Sequence, residues 1–267
     1  MLYPESFLST PDLAQNRSRY PEFSRAYDAR QLAYVRSILQ SLPLFHSSRS
    51  SLKTIEPSSN MMNEGNSNRN SYALDISLGL QQYVFFNWGM PDWSQYGPHM
   101  YAVDPRVLLL PQTVATPWDI SAIAGLTDIE LPYSQLSRKA QQRIQHDYYG
   151  MMLTGADWFE FIARRVIDSV HAGNPVYELR NGGVGMGEIK FPGIVGSEWI
   201  KNDYSGREQL EKVYYPSLYA LGFAYEGSEQ ARREMVELGR TRMTDPTPEE
   251  LGIDYVQAAS IWNSIRG

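Results

Sequence analysis

The chain has no cysteine, which removes disulfides, thiolate metal sites and cysteine nucleophiles together. Histidine is scarce: the four residues His46, His99, His146 and His171 show no H-E-x-x-H or comparable ligand spacing, so no metal site is expected. No G-x-S-x-G elbow occurs, and serine hydrolysis is not indicated. Long apolar runs are missing too; nothing approaches the roughly eighteen residues a membrane span requires. From Met1 to Gln40 the chain mixes Glu5, Asp12, Arg17, Arg19 and Glu22 and lacks a basic segment followed by an apolar one. A secretory leader is therefore not expected, and the expectation is a soluble cytoplasmic protein. Positive charge is in deficit, with 24 Lys and Arg against 30 Asp and Glu and a net charge of −6. A global positive field for nucleic-acid phosphates is thus lacking.

What is present points to a folded chain. Apolar residues make up 42%, charged residues 20% and aromatic residues 12% of the 267, close to globular usage but rich in rings. For 30.5 kDa, surface scaling gives about 12,000 Å² exposed when folded against about 44,000 Å² unfolded, enough for one sizeable core. Charge is unevenly spread: residues 1–55 carry seven basic and four acidic side chains, residues 56–135 two basic and eight acidic.

Hydrophobic spacing predicts a helix within Arg25–Leu42, closed by Pro43, then a strand at Leu44-Phe45-His46 and a helical Ser51–Ile55. Glu56–Ser71, rich in Ser, Asn and Gly, reads as a long loop and a candidate lid. Tyr83–Phe86, Met100-Tyr101 and Val107–Leu110 are β-type runs. Thr116-Pro117 reads as a cap before a helix at Trp118–Ala124, and residues 134–147 are polar nearly all round. Thr154 and Asp157, in capping-box register, open a helix to about His171 with Trp158, Phe161, Ile162, Val166 and Val170 on its apolar side. Strands are expected at Val176–Arg180 and Glu188–Phe191, and helices from about Arg207 to the end.

Between those last two strands stands Asn181-Gly182-Gly183-Val184-Gly185-Met186-Gly187. Its spacing fits neither G-x-G-x-x-G nor G-x-x-x-x-G-K-[ST], and it opens no helix, so a flexible hairpin loop is the plain reading and a phosphate cradle is not. Glu188 follows directly. A carboxylate on a rigid strand beside an adjustable loop can orient a substrate hydroxyl and stabilise developing positive charge, although strand-end glutamates are also common surface charges.

In this order, His46-Ser47-Ser48-Arg49-Ser50-Ser51-Leu52-Lys53-Thr54-Ile55, then Tyr83-Val84-Phe85-Phe86, then Gly187-Glu188-Ile189 resemble the ADP-ribosyltransferases, and within them the DarT-type nucleic-acid-modifying toxins. The resemblance spans roughly residues 43–200. It implies an α+β fold: a two-sheet β core forming a cleft, covered by N-terminal helices, over residues 1–205, with a helical C-terminal segment at 206–267 packed on it. It implies NAD as substrate, with no metal. Glu188 is then the catalytic carboxylate at the nicotinamide ribose, with Arg69 catalytic and gripping the pyrophosphate, and Arg49 a competitor for that grip. His46 and Ser47 fall at the NAD contact, and Tyr83 and Phe86 wall the nicotinamide pocket. The packing alternatives are a satisfied histidine, a solvated arginine and core rings.

Two departures stand out. The proline of the family's strand motif is absent, Val84 being followed by Phe85, and Met186 stands two residues before Glu188, where arginine-modifying relatives carry a carboxylate. A thioether cannot deprotonate an acceptor. The acceptor that the resemblance implies is a base of DNA or RNA, gripped by Arg17, Arg19, Arg25, Arg30 and Arg36, or by Arg138, Lys139 and Arg143, unless these are ordinary helix faces. A toxin or phage-defence role with a neutralising antitoxin partner follows from the family alone. The alternatives are an NAD glycohydrolase without a macromolecular acceptor, or a non-catalytic module that uses an aromatic cleft to bind a protein.

Overall fold

The computed structural model describes residues 12–40, 43–48, 51–63, 72–88, 99–125, 128–171 and 187–204. Seven strands, β1 (Leu44–Ser48), β2 (Val84–Trp88), β3 (His99–Val103), β4 (Val114–Thr116), β5 (Leu153–Thr154), β6 (Glu188–Phe191) and β7 (Ile200–Tyr204), form one sheet in the order β5-β4-β6-β2-β1-β3-β7. Every neighbouring pair is antiparallel. The α+β expectation holds, and the two-sheet core is corrected. β6 hydrogen-bonds to β2 on one side and β4 on the other, and β1 joins β2 to β3, so the described strands continue one ladder with no break.

Strand alternation gives the sheet two different faces. One carries Leu44, Val84, Phe86, Trp88, Tyr101, Val103, Ala115 and Ile189, all fully buried. It packs against the long helix α7 (Gly155–His171), which α2 (Ala29–Leu39) crosses. Trp88 stacks on Phe159 of α7 with ring centres 5.6 Å apart. Half of the expected capping box is present: Thr154 Oγ1 accepts the Asp157 N–H at 3.1 Å, and the same hydroxyl donates to Asp157 Oδ2 at 2.9 Å. Trp158, Phe161, Ile162 and Val166 are buried as expected, joined by Phe159, Ala163 and Ile167, so the helix is apolar over more than one stripe.

Ion pairs tie the N-terminal segment to α7: Arg17 to Asp157 at 2.9 Å, Arg25 to Asp168 at 2.7 Å, and Arg36 Nε to Glu160 at 2.9 Å, with Arg164 on the same carboxylate. Three arginines of the expected nucleic-acid groove thus pair with carboxylates of α7 while staying 40–49% exposed.

Short pieces cover the other face: α4 (Ala73–Ser77), α5 (Ile120–Ala124) and α6 (Arg138–Arg143), which runs into a π turn at Ile144–Tyr148. The stretch 134–147, expected to be polar nearly all round, buries Leu136, Ala140 and Ile144 at four-residue spacing, continued by Tyr148, a stripe narrow enough to hide among its charges.

Several local expectations are corrected. Ser51–Ile55 is not helical but bends at 53–54 into an isolated bridge; Ile55 exchanges backbone hydrogen bonds with Val195 and the Leu52 N–H donates to the Tyr101 hydroxyl at 2.6 Å. Val107–Leu110 lies not on a strand but in and after a 3-10 turn, Pro105–Leu109, because Asp104 caps it through the Arg106 N–H and Pro105 fixes its first turn. Helix α5 is capped by Asp119, whose carboxylate accepts the Ser121 N–H at 2.7 Å, since Thr116 is held in β4. Part of the expected lid loop forms α3 (Ser58–Asn63). The expected strand Val176–Arg180, the glycine loop before Gly187 and the segment 206–267 lie outside the described residues. Among the described residues no helix is long and apolar enough to cross a membrane.

Candidate functional site

Glu188 begins β6 and stands in one row with Asn87 of β2 and Thr116 of β4. Gly187 admits no other residue before it: its φ is +84°, and a Cβ would lie 2.4 Å from the Trp158 ring and 2.7 Å from the Thr116 carbonyl oxygen. The turn into β6 is thereby pressed against α7, which holds the Glu188 backbone on rigid structure.

On a strand, residue 190 shares a face with residue 188. Lys190 is fully buried there, with Nζ 2.8 Å from Glu188 Oε1 and donating to Thr116 Oγ1 at 2.6 Å. Its ammonium lies 4.8 Å from the centre of the Tyr148 ring. Thr116 passes its own hydroxyl hydrogen to the Trp118 carbonyl at 2.9 Å, so its lone pairs are free for the lysine. Glu188 Oε1 and the Tyr148 hydroxyl are both buried without an aligned hydrogen bond; the lysine holds the carboxylate by charge.

Burial pushes the Glu188 carboxyl up to about 7, Lys190 opposes the rise, and the charges of Asp119 and Asp75 add to it. Asp75, on α4, is itself pushed up to about 6 by burial and by Asp119. Burial, with Glu188 nearby, drives the Tyr148 phenol well above its ordinary range. Glu188, Asp75 and the Tyr148 ring thus share the field of one buried lysine. A carboxyl tuned to neutrality can hold or release a proton at physiological pH and can carry charge beside a developing cation.

The other sequence-derived candidates divide between the faces. Phe45 stands in the row of Glu188, so His46, one residue on, projects from the opposite face. There its ring meets Phe86 edge-on at 6.0 Å, and Nδ1 lies 2.9 Å from the Phe85 carbonyl oxygen. A carbonyl can only accept, so Nδ1 carries the hydrogen; burial lowers the ring's pKa and favours the neutral form. Ser47 is half-buried opposite Met100 of β3. Phe86, 1% exposed, is a core ring on the face opposite Glu188. Tyr83 packs with Phe85 in the cluster on the Glu188 side. Arg49 and Arg69 lie outside the described residues.

The structure therefore brings Tyr83 to the side of Glu188 and leaves His46 and Phe86 on the other. Lys190, Thr116, Asp75, Asp119 and Tyr148 were missed. Glu-x-Lys at strand spacing was the one signal available for Lys190; the rest come from distant segments whose convergence only the fold creates. No family model and no curated protein matches the chain.

Proposed function

We propose that the protein cleaves the N-glycosidic bond of NAD at Glu188 and transfers ADP-ribose to a nucleobase. The resemblance supplies the substrate, and Glu188 supplies the chemistry. The observation that carries the reading is a carboxyl ion-paired at 2.8 Å to a fully buried lysine, fixed at the first residue of an interior strand and pushed up to about 7 by burial.

In this mechanism ionised Glu188 accepts a hydrogen bond from a ribose hydroxyl and faces the sugar as the C–N bond breaks. Nicotinamide leaves with the bonding pair, and positive charge develops on the ribose ring, where a nearby carboxylate is worth more than it is with the ground-state sugar. An acceptor nitrogen or oxygen then bonds to the anomeric carbon and loses its proton. The arginine expected at the pyrophosphate would come from position 49 or 69. A phage-defence toxin with an antitoxin partner fits this chemistry.

The placement of His46 and Glu188 on opposite faces favours a second reading, a non-catalytic module in which Glu188 and Lys190 are a structural pair. Incubating the protein with adenine-labelled NAD and cell lysate, then digesting separately with DNase, RNase and protease, separates the two. Label retained by nucleic acid supports the transferase, and label freed as ADP-ribose with no retained product indicates hydrolysis of NAD. Intact NAD throughout supports the module.

A further inference from the structure

We propose that Lys190 is the positioning residue of the Glu188 centre: its ammonium holds the neighbouring carboxyl in the ionised form and fixes it against the acids around it. The inference deepens the NAD reading and rests on it for the reaction served.

The argument is one of charge and placement. Three elements bring a titratable group close to Glu188. α4 contributes Asp75, the cap of α5 contributes Asp119, and the π turn contributes Tyr148. The two aspartates oppose a negative charge on Glu188, and so does burial. Against them, among the described residues, stands Lys190. Its position is over-determined: no exposed surface, a hydrogen bond to Thr116 Oγ1 at 2.6 Å, and a phenol ring under the ammonium. An isolated buried ammonium is costly, and a lysine retained there beside a carboxylate at 2.8 Å is a device for setting charge. Lys190 touches no substrate in this scheme; it acts through Glu188.

The test is a pair of variants on the full chain, each read two ways. Lys190→Met keeps the length of the side chain and removes its charge. Asp119→Asn removes a repelling charge while leaving a good helix cap. The first readout is the pH titration of the Glu188 carboxyl by carbon-13 NMR of glutamate-labelled protein, assigned by the resonance lost in Glu188→Gln. The second is the pH profile of nicotinamide release from NAD.

Lys190→Met is expected to move the Glu188 midpoint upward by at least about one unit, which is tenfold in proton affinity. Release should then fall at least about fivefold at pH 7 and recover toward pH 9. Asp119→Asn is expected to move the midpoint downward. An unmoved Glu188 titration in both variants, or a shift of the same sign in both, would overturn the inference. If Lys190→Met does not fold, Thr116→Val, which removes the hydrogen bond that fixes the ammonium, decides it: an unmoved Glu188 midpoint there would overturn the inference. Shifted titrations with no nicotinamide released by any variant would sink the NAD reading and leave the role of Lys190 standing. Release that depends on Glu188 but keeps its pH profile in Lys190→Met would do the reverse.

Discussion

The two faces of the sheet are built on opposite principles. The face under α7 buries Phe86, Trp88, Tyr101 and Ile189 against Trp158, Phe159 and Ile162, and the imidazole of His46 there is tied to a carbonyl. The face under the short helices buries Lys190 and Thr116 in a comparable apolar setting and gathers Glu188, Asp75, Asp119 and Tyr148 around them. Burial of apolar area stabilises the first, at roughly 25 cal/mol per Å². The second keeps ionisable groups from water at a cost, the usual mark of a surface shaped for chemistry rather than for cohesion.

The sharpest break between them should come from Trp158→Ala. Removing a ring that is 1% exposed is expected to cost about 3–5 kcal/mol in urea denaturation. A cost no greater than that of a surface substitution would mean that α7 is not the wall of the core.

Next in size is a difference in sign between two glutamates. Glu188 has a folded-state pKa raised from 4.5 to about 7, so the native state binds more protons than the unfolded chain between those values, and stability falls as pH rises through them, by about 3 kcal/mol. Glu188→Gln should remove that fall, read from denaturation midpoints between pH 4 and 8. Glu160 behaves oppositely: burial would raise it, but Arg36 and Arg164 outweigh burial and lower it. Its contribution is present above the ordinary carboxylate range and lost as acid protonates it.

Gly187→Ala is expected to cost about 1–3 kcal/mol through the strained backbone and the clash with Trp158, and to shift the Glu188 titration with it. An alanine tolerated without loss would mean that the turn into β6 has room to spare. The smallest effect belongs to Glu160→Gln, about 1 kcal/mol above pH 5 and less in high salt, because Arg36 is 40% exposed. A larger loss, insensitive to salt, would make the strap between α2 and α7 part of the core.

Much of the apolar face was legible in the sequence. The capping box of Thr154 and Asp157, the Trp158–Val166 stripe and the β2 run through Val84 and Phe86 are local signals, readable within one or two turns or strands. The polar face was legible only at Glu188. Asp75 and Asp119 look like a first-turn residue and a cap, and both are these things. Their added role arises because α4 and α5 settle over β6, which no local spacing encodes. The single sheet was also hidden, because β6 lies far along the chain from both β2 and β4. Pro105 and Asp104 were visible, yet the leucines after them were read as strand because apolar runs of that length do not distinguish a strand from a tight helical turn.

The central claim is that Glu188 works on the glycosidic bond of NAD. Its most direct test is the initial rate of nicotinamide release at pH 8 from NAD mixed with nucleic acid, wild type against Glu188→Gln, with both proteins shown to be folded. The account predicts release by the wild type and a loss of at least about a hundredfold in the variant. Equal rates from the two proteins, or none from either, would contradict it.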